Sequence, residues 1–183
     1  MGKGNMGLAV RAWALAAWGG LMVGGPAWAE IAFDGIPKTI PEIVLPAPDM
    51  RRYAPAVEQD PGLRSLLEDE GPRTALVPLD VPAPGRMDGA PVWPERAEEA
   101  ARLARALILE GRWTPEDLGR VADAGAGQGR LWTEQGASLL AMRAADGGII
   151  LVDRDGNTAR VVLPFRPAGN GGVIALDAPI LPR

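Results

Sequence analysis

The sequence predicts an α+β fold: a small antiparallel β-meander of three to five strands, covered by a helical hairpin and preceded by a Pro-rich extended arm. Three observations predict it. Ser138 to Phe165 is the densest apolar stretch outside the extreme N-terminus, and Asp146-Gly147 and Asp155-Gly156 cut it into strand-length pieces. Two helix-start signatures fall close together between residues 93 and 123. Twelve prolines crowd the interval from Glu30 to Pro94, a density at which fixed φ angles and missing donors break long helices and central strands.

The chain has 183 residues, enough for one ordinary domain. It contains no His and no Cys. Imidazole acid–base chemistry, thiolate nucleophiles, His- or Cys-ligated zinc and disulfides are therefore excluded, and the fold must rest on an apolar core. No cofactor is expected.

Residues 1–29 read as a secretory signal peptide. Lys3 and Arg11 supply the positive leader, Ala12 to Val23 the apolar stretch, and Ala27-Trp28-Ala29 the small-residue cleavage site. Cleavage after Ala29 removes both basic leader residues and takes the formal charge from −4 to −6. A bacterial-type leader on an acidic chain implies a periplasmic or secreted protein. It argues against nucleic-acid partners and against stable membrane insertion once the leader is gone.

Residues 30–92 form the arm, with one short helix near 61–70. There Asp60 is the N-cap, Pro61 the first helical residue and Gly71-Pro72 the stop. Residues 36–48 are expected to be extended, leaving Ile40, Ile43, Val44 and Leu45 free to contact a partner or the chain's own domain.

Residues 93–178 form the α+β domain. Glu95 to Glu110 carries a helical face of Ala97, Ala100, Ala101, Ala104, Leu107 and Ile108. Thr114-Pro115-Glu116-Asp117 opens a second helix with reciprocal capping between Thr114 and Asp117. Two helices so close in sequence are expected to fold back on each other over the sheet, with Trp113 at the corner. A glycine-rich loop, residues 124–130, lacks the Lys-Ser/Thr of a phosphate-binding loop. A strand containing Trp132 follows; Ser138 to Ala144 reads as a strand, with a helix capped by Thr133 and stopped at Gly147 as the alternative, and strands follow over Ile149 to Val152 and Val161 to Leu163. The unbroken apolar run Ile149 to Val152 predicts a central strand covered on both faces. Pro164 and Pro167 are expected to end the next strand, and Val173 to Leu176 to add a last one before the tail, residues 179–183.

Asp153-Arg154-Asp155-Gly156-Asn157 offers oxygen ligands at alternate positions, as a calcium loop does. Thr158 replaces the required Gly and Pro164 the bidentate Glu, so a hairpin turn is the better reading. The two serines, Ser65 and Ser138, have no His to act as base, and nothing in the spacing brings Lys38 to either. Catalytic and metal residues are therefore none.

The order of exported N-terminus, Pro-rich spacer and compact β-module resembles the layout of periplasmic alignment proteins in pilus or secretion machines. The likeness lies in Asp155-Gly156, Arg160-Val161-Val162 and Gly169-Asn170-Gly171-Gly172-Val173-Ile174, within the last third of the chain. It implies a non-catalytic accessory or scaffold protein of the cell envelope that works by contact with an envelope protein, its oligomeric state open. The alternative is a small-ligand binder with its site near Trp113 and Trp132; a carboxylate-dependent hydrolase ranks below both.

Overall fold

A computed structural model describes residues 39–80, 92–124 and 128–180, all within one compact unit of the chain. The expected signal peptide, its cleavage site and Lys38 lie outside the described residues, as do 81–91 and residues 125–127 of the glycine-rich loop.

The arm is not extended. Its apolar residues fold into three short helices, α1 (Ile40–Val44), α2 (Ala54–Gln59) and α3 (Pro61–Glu68), followed by a strand, β1 (Arg73–Pro78). Proline permits this because it sits in the first turn of each helix, where the missing N–H has no intrahelical partner in any case. Asp60 caps α3 as its position predicts: its Oδ1 accepts the backbone N–H groups of Gly62 and Leu63, both at 3.0 Å.

Helix α4 (Ala97–Ala106) follows, but the predicted helix ends early, and Ile108–Glu110 becomes β2. Helix α5 (Pro115–Ala124) starts where predicted. Asp117 N–H donates to Thr114 Oγ1 at 3.2 Å, and Thr114 N–H donates to Asp117 Oδ2 at 2.9 Å. The strands β3 (Gln128–Trp132), β4 (Ser138–Arg143), β5 (Ile149–Val152), β6 (Thr158–Ala168) and β7 (Gly171–Leu176) complete the chain.

The expected meander of three to five strands is thus corrected to one mixed sheet of seven, in the order β2-β1-β7-β6-β5-β4-β3. Strand β1 pairs with β7 in parallel, Ala75 beside Val173 and Val77 beside Ala175. All the other pairs are antiparallel. The two ends of the sheet meet: Leu109 bridges Thr133, and Glu134 N–H donates to Ile108 O at 2.8 Å. Arg73 on β1 closes the same seam with an ion pair to Glu134 at 2.7 Å. The sheet is nearly a barrel.

The helices do not form a hairpin over it; they lie on opposite faces. Inside the curve, α5 packs on β3, β4, β5 and β6, and Leu118 and Ala122 are buried with Leu131, Leu139, Ala141, Leu151 and Ala159. Outside, α1 lies on β7 and β6, α4 on β1, and α2 and α3 on α4. The ion pair between Asp49 and Arg166, which shares the outer side with its cross-strand neighbour Val173, ties this layer to the sheet.

Pro164 and Pro167 do not end β6. The strand runs through them, with a shift of register between Val162 and Arg166. An irregularity is where a sheet tolerates a residue without an N–H.

Candidate interaction face

Side chains along a strand alternate between faces, so register assigns each one. On β4, Leu139 and Ala141 point inward; on β5, Ile149 and Leu151; on β6, Ala159 and Val161, and all of these are buried. Gly129, opposite Ala141, marks the same side, because a Cβ there would lie 2.4 Å from the Val121 carbonyl oxygen of α5. The alternate set points outward. Leu140 faces Val152 and Met142 faces Ile150 across the β4–β5 ladder, and all four are partly exposed.

An antiparallel sheet with one solvated face ordinarily carries polar residues there. Here the outward residues of the two middle strands are Leu, Met, Ile and Val, and no described element packs on them. This corrects the double cover expected for Ile149 to Val152. The outer helices cover β1 and β7 and stop at β6, while α5 lies on the other side.

One edge of this face is built on β3. Arg130 pairs with Leu140 and Trp132 with Ser138, which places both outward. Trp132 is 51% exposed. The Arg130 guanidinium lies over its ring, 5.9 Å from the centroid, and donates to Ser138 Oγ at 3.4 Å. Among the described residues no carboxylate lies within ion-pair distance of Arg130. The opposite edge carries Thr158, Arg160 and Val162. Arg160 is paired with Asp146 at 2.8 Å. The Asp146 carboxyl is held below its usual range, first by the Gly148 N–H and then by Arg160.

The Asp153 loop is the hairpin turn between β5 and β6. Asp153 is buried, and its Oδ1 accepts the N–H groups of Asp155 and Asn157, each at 2.9 Å. Among the described residues no group of three or more acidic side chains is placed to hold a metal ion.

The residues singled out from the sequence are scattered. Ile40, Ile43 and Val44 are buried in the outer helical layer, with Leu45 packed against it; they are core, not contact surface. Trp113 is half-buried at the seam, its Nε1–H donating to Glu110 O at 2.7 Å and its backbone N–H to Thr74 Oγ1 at 2.8 Å. It lines an open groove with Gly111, Arg112, Asp117 and Val121, and Trp132 is not part of that lining. Ser138 serves Arg130, and Ser65 borders a shallow surface hollow on α3. Of the six, only Trp132 belongs to the uncovered face. Arg130, Leu140, Met142, Ile150 and Val152 were not recognisable as site residues, since an outward apolar residue in a strand has the same sequence signature as a buried one.

The nearly closed mixed sheet with a few short helices is a FAS1-like fold. The chain is similar to the solved structure of a FAS1 domain pair from the insect cell adhesion molecule fasciclin I, with a TM-score of 0.61 and 16% sequence identity. The match covers 79% of this chain and 51% of that one, so the chain spans about half the length of the pair. No protein-family model and no curated protein matches it.

Proposed function

We propose that this protein is a non-catalytic interaction module of the bacterial cell envelope, exported by its N-terminal leader, that engages a protein partner through the outer face of β3, β4, β5 and β6. The observation that carries the reading is the outward row Leu140, Met142, Ile150 and Val152, beside an exposed Trp132. Keeping such side chains in water forgoes roughly 25 cal/mol for each Å² that burial would remove, and contiguous apolar patches mark interaction sites. The export sequence Lys3 to Ala29 supports the location. Among the described residues no helix is long and apolar enough to cross a membrane. The structural neighbour is part of a cell adhesion molecule, which agrees with work by contact rather than catalysis.

The test is site-specific photocrosslinking in the producing cell. A photoreactive phenylalanine analogue at Ile150 is expected to give discrete protein adducts in the envelope fraction, and the same analogue at Arg64, on exposed α3, is not. Adducts of equal yield from both positions, or none from Ile150, would remove the face as the site of contact.

A further inference from the structure

The face also indicates what it is shaped to hold. Resting on the reading above, we infer that the partner contributes an extended polypeptide segment, apolar at every second residue, that ends in a carboxylate placed on Arg130.

The first part follows from the sheet. The four apolar side chains form two cross-strand rows, Leu140 with Val152 and Met142 with Ile150. Strands in a sheet lie about 4.7–4.9 Å apart, and residues on one face recur every second position. A segment matching both spacings is itself extended, and it packs as one sheet packs on another.

The second part follows from charge. Arg130 stands at the end of the Leu140–Val152 row. The indole beneath it holds the guanidinium plane, which leaves an N–H edge for a bidentate carboxylate. Four other arginines on the strands of the sheet already have acidic partners: Arg73 with Glu134, Arg143 with Asp123, Arg160 with Asp146 and Arg166 with Asp49. Among those of the face, Arg130 is the cation without one among the described residues. Trp and Arg are also the residues most enriched where interface energy concentrates.

A second copy of the chain fits less well. Two copies packed face to face about a two-fold axis set β3 against β3 or against β6. The outward side chains there are Arg130 and Trp132, or Thr158, Arg160 and Val162, so neither arrangement supplies Arg130 with a carboxylate.

The experiment uses the full mature chain and three fluorescein-labelled ten-residue peptides that alternate Val and Thr and end in two Asp, two Lys or two Ser. Anisotropy should show the Asp peptide binding at least tenfold more tightly than the Lys peptide. Arg130→Glu should reverse that order, Trp132→Ala should weaken the Asp peptide about tenfold, and Ile150→Asp should abolish binding, with thermal unfolding unchanged in the first two variants. Equal affinity for Asp and Lys peptides, or a preference that survives Arg130→Glu, overturns the inference. So does a dimer in sedimentation velocity that Trp132→Ala disperses, or adsorption to phosphatidylglycerol vesicles in place of peptide binding. If no peptide binds while Ile150 still crosslinks in cells, the partner's chemistry is wrong and the interaction module stands. If the crosslinks are absent too, both fail.

Discussion

Asn170 is the point at which the outer helical layer is fastened to the sheet, and replacing it measures that attachment. It sits in the β6–β7 turn with 7% of its surface exposed. Its Oδ1 accepts the Ile40 N–H at 3.2 Å, and its Nδ2 donates to Leu67 O at 2.7 Å and to Asp69 O at 2.9 Å. One side chain thus joins the start of α1 and the end of α3 to the sheet. Asn170→Ala strands the Ile40 N–H and the Leu67 carbonyl in the interior, while the carbonyl of exposed Asp69 regains water. A net hydrogen bond is worth ~1 kcal/mol and a stranded buried group about 1–3 kcal/mol, so the expected loss is roughly 2–4 kcal/mol. For a chain of this size that lowers Tm by about 5–15 °C. Urea unfolding followed by circular dichroism should show a lower midpoint with an unchanged slope. Asn170→Asp keeps the acceptor for Ile40 but sets a charge against two carbonyls. It should be worse than Ala at neutral pH, with its deficit narrowing as the pH falls toward 4. A loss under about 0.5 kcal/mol for Asn170→Ala would refute this role.

Four further outcomes follow. Tyr53 is the only tyrosine in the chain, and its hydroxyl is buried with no hydrogen-bond partner among the described residues, so Tyr53→Phe should be neutral or stabilising by up to ~2 kcal/mol. Burial also raises the Tyr53 pKa; the unfolded phenol ionises near 10 while the folded one stays neutral, so wild-type stability should be intact below about pH 10 and decline above it. Absorbance at 295 nm reports this residue alone, and a step near pH 10 in still-folded protein would contradict the burial. At the acid end, Asp60 is held low chiefly by its hydrogen bond from Arg105, and Asp117 by that from Thr114. Their contribution is present above the unfolded carboxyl pKa of about 3.9 and is lost as pH falls through the lower folded values. Urea midpoints from pH 7 to pH 2 should therefore drop below about pH 4, less steeply in Asp60→Asn, which keeps a cap but not the charge. Finally, Trp132→Ala should change stability by no more than ~0.5 kcal/mol while removing the indole that is most exposed among the described residues, and with it acrylamide quenching of that ring, which separates a contact residue from a structural one.

What the sequence determined by itself was everything decided within a few residues. Asp60-Pro61 and Thr114-Pro115 start helices because the cap and the fixed φ are local properties. Gly147 and Gly156, both at φ 83°, turn the chain because their neighbours cannot do so without strain. The apolar runs of β5 and β7 were equally legible, whereas β4 read as either strand or helix because Leu139 and Met142 also fit helical spacing. Tertiary structure alone decided the rest. Thr74 to Val77 is a strand because β7, about 100 residues later, offers a parallel edge, and nothing local distinguishes that run from linker. Ile108 continues a helical face in sequence but leaves the helix to pair with Ala75 of β1 and accept the Glu134 N–H, since hydrogen bonds to a strand edge there outweigh one more helical turn. The faces of β5 were likewise undecidable, because Ile150 and Leu151 present the same chemistry to any local rule. Which of the two meets α5 and which meets solvent depends on where the helices come to rest, and that set the candidate site.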